Sequence, residues 1–550
     1  MEGLMQDYEL TLQHVLWRLE RLHGKREVVT RREQGLHRMT NADLVRRVNR
    51  LAGALKRLGV KPGDRVATLA FNNYRHLELY YAVPCMGAVL HTLNLRLFPQ
   101  HLEFIINDAE DKVLFVDQPL VPLLKPLAGK IRSVQKIVLM TDGAPADADH
   151  GLGELFDYET LLSEEGEDYP WPKLSERMAA AMCYTSGTTG NPKGVVYSHR
   201  SQFIHTMGVL QADSLSISEK DTVLPIVPMF HANSWGLPYA IGMAGAKALF
   251  PDRWSGDAKA VVELAEQEDA TVLAGVPTIW IGTAAFLKES GKRLPTVHTV
   301  VCGGSAVPRA LMESMDALGL RILHAWGMTE TSPLGSVSRP RAGTPKEQEL
   351  DARLTQGVIV PGVEVRICDA ATGEELRWDG VAFGEIQVRG PWIARGYYNG
   401  YDPGKLTEDG WFRTGDVAKI TPEGYIQIVD RTKDVIKSGG EWISSVELEN
   451  AVMAHPKIME AAVIGLAHPK WDERPVAYAV PKPEFKGKVT QEEVIEFLKD
   501  KVAKWWLPDE VRFIDEVPKT SVGKFDKKVL RSSAEPIHES AAPAAQAVKQ

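Results

Sequence analysis

The stretch Tyr184-Thr185-Ser186-Gly187-Thr188-Thr189-Gly190-Asn191-Pro192-Lys193-Gly194 directly follows the apolar run 179–184, and its reading decides the fold. Three glycines let the backbone approach a ligand closely, three threonines and a serine offer hydroxyls, and Lys193 adds a positive charge. That combination predicts a triphosphate cradle. It is not the ordinary P-loop, which needs Gly before its lysine and Ser or Thr after it, whereas Lys193 stands between Pro192 and Gly194. A merely flexible polar loop has no need of the Pro-Lys-Gly ending.

Outward from this loop the chain alternates helix and strand. Leu44, Val45, Val48, Leu51, Leu55 and Leu58 recur at helical spacing, with Asn41 and Asp43 at the start and Gly59 after the last apolar position. A turn at 61–64 then leads into the strand-like run 66–70, and similar runs return at 271–274 and 297–301. This grammar predicts an α/β protein with parallel sheets covered by helices. From about residue 355 shorter β-like runs, 363–367 and 385–389, predict a β-rich subdomain. From about residue 434 a mixed α+β unit is expected, helical over 446–453 and 491–501 and strand-like over 461–465. The tail 532–550 is expected to be disordered.

Composition sets limits on function. The 550 residues predict several structural units, and 44% hydrophobic with 25% charged residues is ordinary for a globular chain. The formal net charge of -8 argues against nucleic-acid binding by bulk electrostatics. Cys85, Cys183, Cys302 and Cys368 are widely spaced, with no CxxC pair, which predicts neither a disulfide framework nor a zinc knuckle. No window carries a transmembrane-length apolar run or a basic-then-apolar leader, so a cytoplasmic protein is expected.

With its phosphate loop and five further blocks in family order, the sequence resembles the acyl-adenylate-forming superfamily: acyl-CoA synthetases, adenylation domains of peptide synthetases and firefly luciferase. The blocks cover residues 184–524. The resemblance is nearest to bacterial medium- and long-chain fatty acyl-CoA synthetases through Pro225-Ile226-Val227-Pro228-Met229-Phe230-His231 and Lys437-Ser438-Gly439-Gly440-Glu441-Trp442-Ile443-Ser444-Ser445. It implies a large domain over 1–432, including the β-rich subdomain, and a small mobile domain over 433–531 hinged at Lys433.

The implied chemistry is activation of a carboxylate, a poor electrophile. The acid attacks the α-phosphate of ATP, pyrophosphate leaves, and the thiol of coenzyme A then displaces AMP. Charge moves among oxygens, so cations and aimed donors matter more than a protein nucleophile. By the resemblance Thr185, Ser186, Gly187, Thr188, Thr189, Gly190 and Lys193 grip the phosphates, and Gly304, His324, Ala325 and Trp326 surround adenine. Thr329 touches the α-phosphate, and Thr185 with Glu330 holds Mg²⁺. The usual aromatic at position 326 is Tyr, so Trp326 is a departure that keeps stacking and loses a hydroxyl. Asp416 is implied to accept the ribose hydroxyls, and Arg431, Lys433, Lys437 and Trp442 to complete the nucleotide site. Lys524 assists adenylation. The loop Gly439-Gly440-Glu441 shapes a thiol channel after the small lobe turns about Lys433.

His231, Trp235, Gly303 and Gly304 are implied to line the acyl site, with Trp235 as a swinging lid, although an aromatic beside small apolar residues is usually core. No acidic residue occurs between His231 and Phe250 to recognise a substrate amino group, which disfavours an amino-acid adenylation module. Three readings follow. One is an AMP-forming acyl-CoA synthetase for medium or long fatty acids. Another is the same mechanism on a short acid such as 3-methylthiopropionate, or on an aryl acid. The third is a non-catalytic nucleotide-binding homologue, against which intact Lys193, Glu330, Asp416 and Lys524 argue. Relatives are often homodimers through the large lobe, and nothing in this sequence fixes that.

Overall fold

A computed structural model describes residues 1, 3–142, 152, 154–185, 191–369, 372–438, 441–519 and 525–536. The chain divides into two compact units, Met1–Glu364 with Val388–Phe412, and Val365–Gln387 with Arg413–Gln550.

The first unit is built on two helix-covered sheets of nine and seven strands. In the nine-stranded sheet the strands Thr222–Pro225, Val272–Gly275, Thr299–Cys302 and Ile322–Gly327 lie side by side and parallel, so their carboxyl ends share one edge. In parallel α/β sheets that edge is where ligands bind. In the seven-stranded sheet Arg65–Leu69, Val89–Thr92 and Ala179–Tyr184 are also parallel neighbours. Valine, leucine and alanine dominate these strands because both faces are covered.

The helix expected from the 44–58 periodicity runs Asn41–Arg57, but its cap is Thr40. Thr40 Oγ1 accepts the Asp43 N–H, and the Asp43 carboxylate accepts the Thr40 N–H, a reciprocal capping box. Asn41 lies inside the first turn and donates to the His23 carbonyl at 3.0 Å instead. Gly59 follows with φ +88°, as a helix-ending glycine should.

The second unit carries most of a four-stranded sheet in the order Glu364–Cys368, Phe383–Arg389, Phe412–Ile420, Ile426–Arg431. This sheet lies within the span read as β-rich, but it clusters with the C-terminal residues and not with the first unit, unlike the expected division at 432/433. The second unit also holds a five-stranded sheet around the long antiparallel pair Ile458–His468 and Asp472–Pro481, flanked by the helices Ser445–Met453 and Gln491–Leu498. Both helices were expected within a few residues; the strand extends well past 461–465. Among the described residues no helix is long and apolar enough to cross a membrane.

Candidate active site

The phosphate loop hangs from a β-hairpin. Strand Ala179–Tyr184 runs antiparallel to Gly194–Ser198, with Tyr184 opposite Gly194. The Thr185 N–H donates to the Lys193 carbonyl at 3.0 Å, and the Lys193 N–H donates to Thr185 Oγ1 at 3.1 Å, closing the neck. A Cβ on Gly194 would lie 3.0 Å from the Tyr184 ring and 3.1 Å from Cβ of Tyr398, so close packing selects glycine after Lys193. Lys193 Nζ pairs with Asp402 at 2.5 Å and lies 5.1 Å from the Tyr397 ring centroid. Ser186, Gly187, Thr188, Thr189 and Gly190 lie outside the described residues.

Strand Ile322–Gly327 delivers the next block. His324 is buried in the strand, and burial depresses its imidazole to about 4, so it is neutral. Trp326 is buried, and its ring leaves no room for a Cβ on Gly335 of the antiparallel neighbour, which would stand 2.6 Å from it. A Cβ on Gly327 would fall 1.6 Å from the Pro333 carbonyl oxygen, which makes glycine obligatory behind the tryptophan. Thr329 and Glu330 are both buried. Tyr197 donates to the Thr329 carbonyl at 2.7 Å, the Ala394 N–H donates to the Glu330 carbonyl at 2.8 Å, and the Tyr397 hydroxyl donates to Glu330 Oε1 at 2.5 Å. Tyr197, Tyr397 and Asp402 escaped the sequence reading because single tyrosines and an aspartate in Gly-rich loops carry no spacing signal.

The expected acyl residues are brought together. Beyond strand Thr222–Pro225 the chain is clamped by Asn72, whose Nδ2 donates to the Pro225 and Val227 carbonyls at 2.9 and 2.8 Å, while its Oδ1 accepts the Met229 N–H at 2.7 Å. His231 is half-buried and opens a turn in which Ala232, Asn233, Ser234 and Trp235 all have left-handed φ of 43° to 59°, ending at Gly236 with φ 75°. This turn sets the Trp235 indole beside Gly303, where a Cβ would stand 3.3 Å from the ring edge and 2.9 Å from the Ala325 carbonyl. Gly304 is exposed just beyond, at φ +89°.

In the second unit Asp416 and Arg431 face each other across an antiparallel pair, and Arg431 Nε meets Asp416 Oδ1 at 2.8 Å. Asp416 is buried. Asp430 accepts the Ser445 N–H and hydroxyl at 2.6 and 2.5 Å, and Asp434 pairs with Arg531 at 2.8 Å, so exposed Lys433 lies between two fastened carboxylates. The Lys437 N–H donates to Glu473 at 3.0 Å. Gly439, Gly440 and Lys524 lie outside the described residues; for Glu441 and Trp442 only the strand backbone is described.

The donor set suits Mg²⁺. It takes few protein oxygens and keeps waters and phosphate oxygens as its other ligands. Tyr397 engages one oxygen of the buried Glu330 carboxylate, which leaves the other for a cation, and Thr185 Oγ1 retains a lone pair after accepting the Lys193 N–H. Among the described residues no cluster of three or more His, Cys, Asp or Glu side chains forms an all-protein metal cage.

Residues 16–398 match the family described as AMP-binding enzyme, and residues 447–524 match the AMP-binding enzyme C-terminal domain. The chain is 48% identical to the long-chain-fatty-acid–CoA ligase of Thermus thermophilus, over 96% of each chain. It is 43% identical to the 3-methylmercaptopropionyl-CoA ligase of Ruegeria lacuscaerulensis, over 96% of this chain and 98% of that one. The solved structure of ATP-bound MatB from Rhodopseudomonas palustris superposes with a TM-score of 0.82 at 26% identity, covering 96% of this chain and 99% of the other. With both family models matched over most of the sequence and near-full-length agreement with these relatives, the chain belongs to the AMP-binding enzyme family and is an AMP-forming acid–thiol ligase.

Proposed function

We propose that the acid is a medium- or long-chain fatty acid. The observation that carries this reading is the pairing of Trp235 with Gly303 at the mouth of a helix, Leu237–Ala244, whose residues are apolar and almost entirely buried. An indole over a small residue makes an apolar port that excludes charge at little polar cost. A relative acting on a long-chain fatty acid supports the reading. A second reading, a short methylthio acid, is favoured by the 43%-identical 3-methylmercaptopropionyl-CoA ligase.

In this reading Trp326 and Gly304, at the carboxyl ends of the central strands, serve the adenine, and Asp416 and Arg431 serve the ribose. Mg²⁺, when bound by Glu330 and Thr185, neutralises phosphate charge. Lys193 and the hydroxyls of the loop hold the departing pyrophosphate, and Lys524 and His231 steady the charge passing from carboxylate to α-phosphate. The small domain then pivots at Lys433 and its Gly439-Gly440-Glu441 loop admits coenzyme A. Four buried free thiols suit a reducing cytoplasm.

Pyrophosphate exchange into ATP, measured against acids from propionate through 3-methylthiopropionate and benzoate to palmitate, tests the assignment. Exchange greatest from hexanoate upward supports a fatty acid; greatest exchange with the methylthio or aryl acid replaces it with the second reading.

A further inference from the structure

Four consecutive non-glycine residues in the left-handed region are uncommon. Each disfavours that backbone by about 1–2 kcal/mol, asparagine least. Here Ala232, Asn233, Ser234 and Trp235 all adopt it. Such strain persists only where surrounding structure over-determines it, and it gathers at functional sites.

The surroundings are specific. Asn233 and Ser234 are fully buried. The Ser234 hydroxyl donates to the Val227 carbonyl at 2.9 Å, and Gly236 rests on the His205 ring so closely that a Cβ would stand 2.6 Å from it. The Cys183 thiol donates to Asn233 Oδ1, and Thr92 Oγ1 lies 3.4 Å from the same sulfur. Cys183 is the penultimate residue of the strand Ala179–Tyr184 that leads into the glycine-rich stretch, so this hydrogen bond ties that strand to the turn. Burial pushes the Cys183 thiol up to about 11, which keeps the proton it donates. Asn233 Nδ2 has no partner among the described residues, although it is buried. An unpaired buried donor is destabilising, so the turn is not optimised for stability.

We propose that Cys183 and Asn233 are positioning residues for acyl selectivity: their hydrogen bond holds the left-handed turn so that Trp235 stands over Gly303. This rests on the reading of Trp235 as an acyl-port residue. A side chain misplaced by about 1 Å can change rates by about 10²-fold, so a small relaxation of the turn reaches substrate choice. The same sulfur also meets Tyr197, whose hydroxyl donates to the Thr329 carbonyl on the nucleotide side, so the Asn233 variants, which leave Tyr197 in place, report on the acid alone.

The test compares Cys183→Ala, Cys183→Ser, Asn233→Ala, Asn233→Gly and Trp235→Ala in the full chain. It measures kcat and KM for hexanoate, myristate and ATP, together with Tm. Cys183→Ala and Asn233→Ala are expected to shift the myristate-to-hexanoate ratio of kcat/KM by about 10-fold, with KM for ATP in Asn233→Ala within about twofold of the parent. Cys183→Ser, which restores a donor, is expected to restore the ratio. Asn233→Gly suits the left-handed backbone without the tie and is expected to keep the parental ratio, whereas either Cys183→Ala or Asn233→Ala at parental Tm with an unshifted ratio overturns the proposal. A shifted ratio in Trp235→Ala alone also overturns it and leaves the acyl-port reading standing. An unshifted ratio in Trp235→Ala removes the port reading itself, and this proposal with it.

Discussion

The Tyr397 hydroxyl meets Glu330 Oε1 at 2.5 Å across 67 residues of chain, and the same phenol ring carries Lys193 Nζ 5.1 Å from its centroid. One side chain therefore orients both the carboxylate proposed to hold Mg²⁺ and the lysine at the end of the phosphate loop. Tyr397→Phe keeps the ring and deletes the hydrogen bond. Bonds to charged groups contribute about 1.5–3 kcal/mol, so the variant is expected to raise the Mg²⁺ concentration for half-maximal pyrophosphate exchange by about 10-fold or more. An unchanged Mg²⁺ titration would remove Tyr397 from that role.

Gly327 has no room for a methyl group, since its Cβ would fall 1.6 Å from the Pro333 carbonyl. Gly327→Ala must displace the strand pair 322–327 and 334–337 that fixes Trp326. The expected loss is at the upper end of the about 1–3 kcal/mol typical of overpacking, read as a lower urea midpoint. Gly256 is a fit control, because nothing lies within 4 Å of its Cβ position and its backbone is not left-handed.

His76 is fully buried, with Nε2 2.9 Å from Thr68 Oγ1 and Nδ1 3.0 Å from the Phe71 carbonyl, and burial depresses it to about 4. The unfolded chain binds a proton near the ordinary value of about 6.5, whereas the folded chain does not until about 4. Its contribution is complete above the unfolded value and is lost as pH falls toward the folded one. Between pH 7 and pH 5 the stability gap between the parent and His76→Gln is expected to narrow by about 2 kcal/mol, measured by urea unfolding at each pH. Parallel pH profiles for the two proteins would refute this.

Lys524 is proposed to act in the first half-reaction alone. Lys524→Ala is expected to lower pyrophosphate exchange by roughly 10²–10³, as loss of one transition-state donor does, while thioester formation from supplied acyl-adenylate continues. Equal losses in both half-reactions, with the fold intact, would deny that division of labour.

Much of this was legible in the sequence because it is local. The strand–loop–Lys193 unit, the Gly303-Gly304 turn and the 326–330 block each declare themselves within a dozen residues, and the periodicity of 44–58 locates its helix. What escaped is long-range or conformational. Tyr397 reaches Glu330 from a loop without periodic signal, Asn72 clamps residues more than 150 positions away, and the left-handed turn at 232–235 contains only one residue, Asn233, that favours such a backbone. Thr40 was passed over as a cap because Asn41 and Asp43 are equally good candidates on composition, and only geometry separates them.

Asp416 and Arg431 form a pair in which the carboxylate is buried and the guanidinium is not, with 2.8 Å between Nε and Oδ1. Arg431 thus orients the carboxylate through Oδ1. Thr414 Oγ1 accepts the Asp416 N–H at 3.1 Å and donates to the Ile386 carbonyl at 2.8 Å, so the aspartate backbone is fixed independently of Arg431. If Asp416 accepts ribose hydroxyls, the parent enzyme should prefer ATP to 2′-deoxy-ATP, and Asp416→Ala should lose most of that preference while raising KM for ATP by about 10-fold or more. Arg431→Ala should weaken nucleotide binding yet keep the preference, because Thr414 still fixes the Asp416 backbone. A preference that survives in Asp416→Ala would mean that another group reads the ribose.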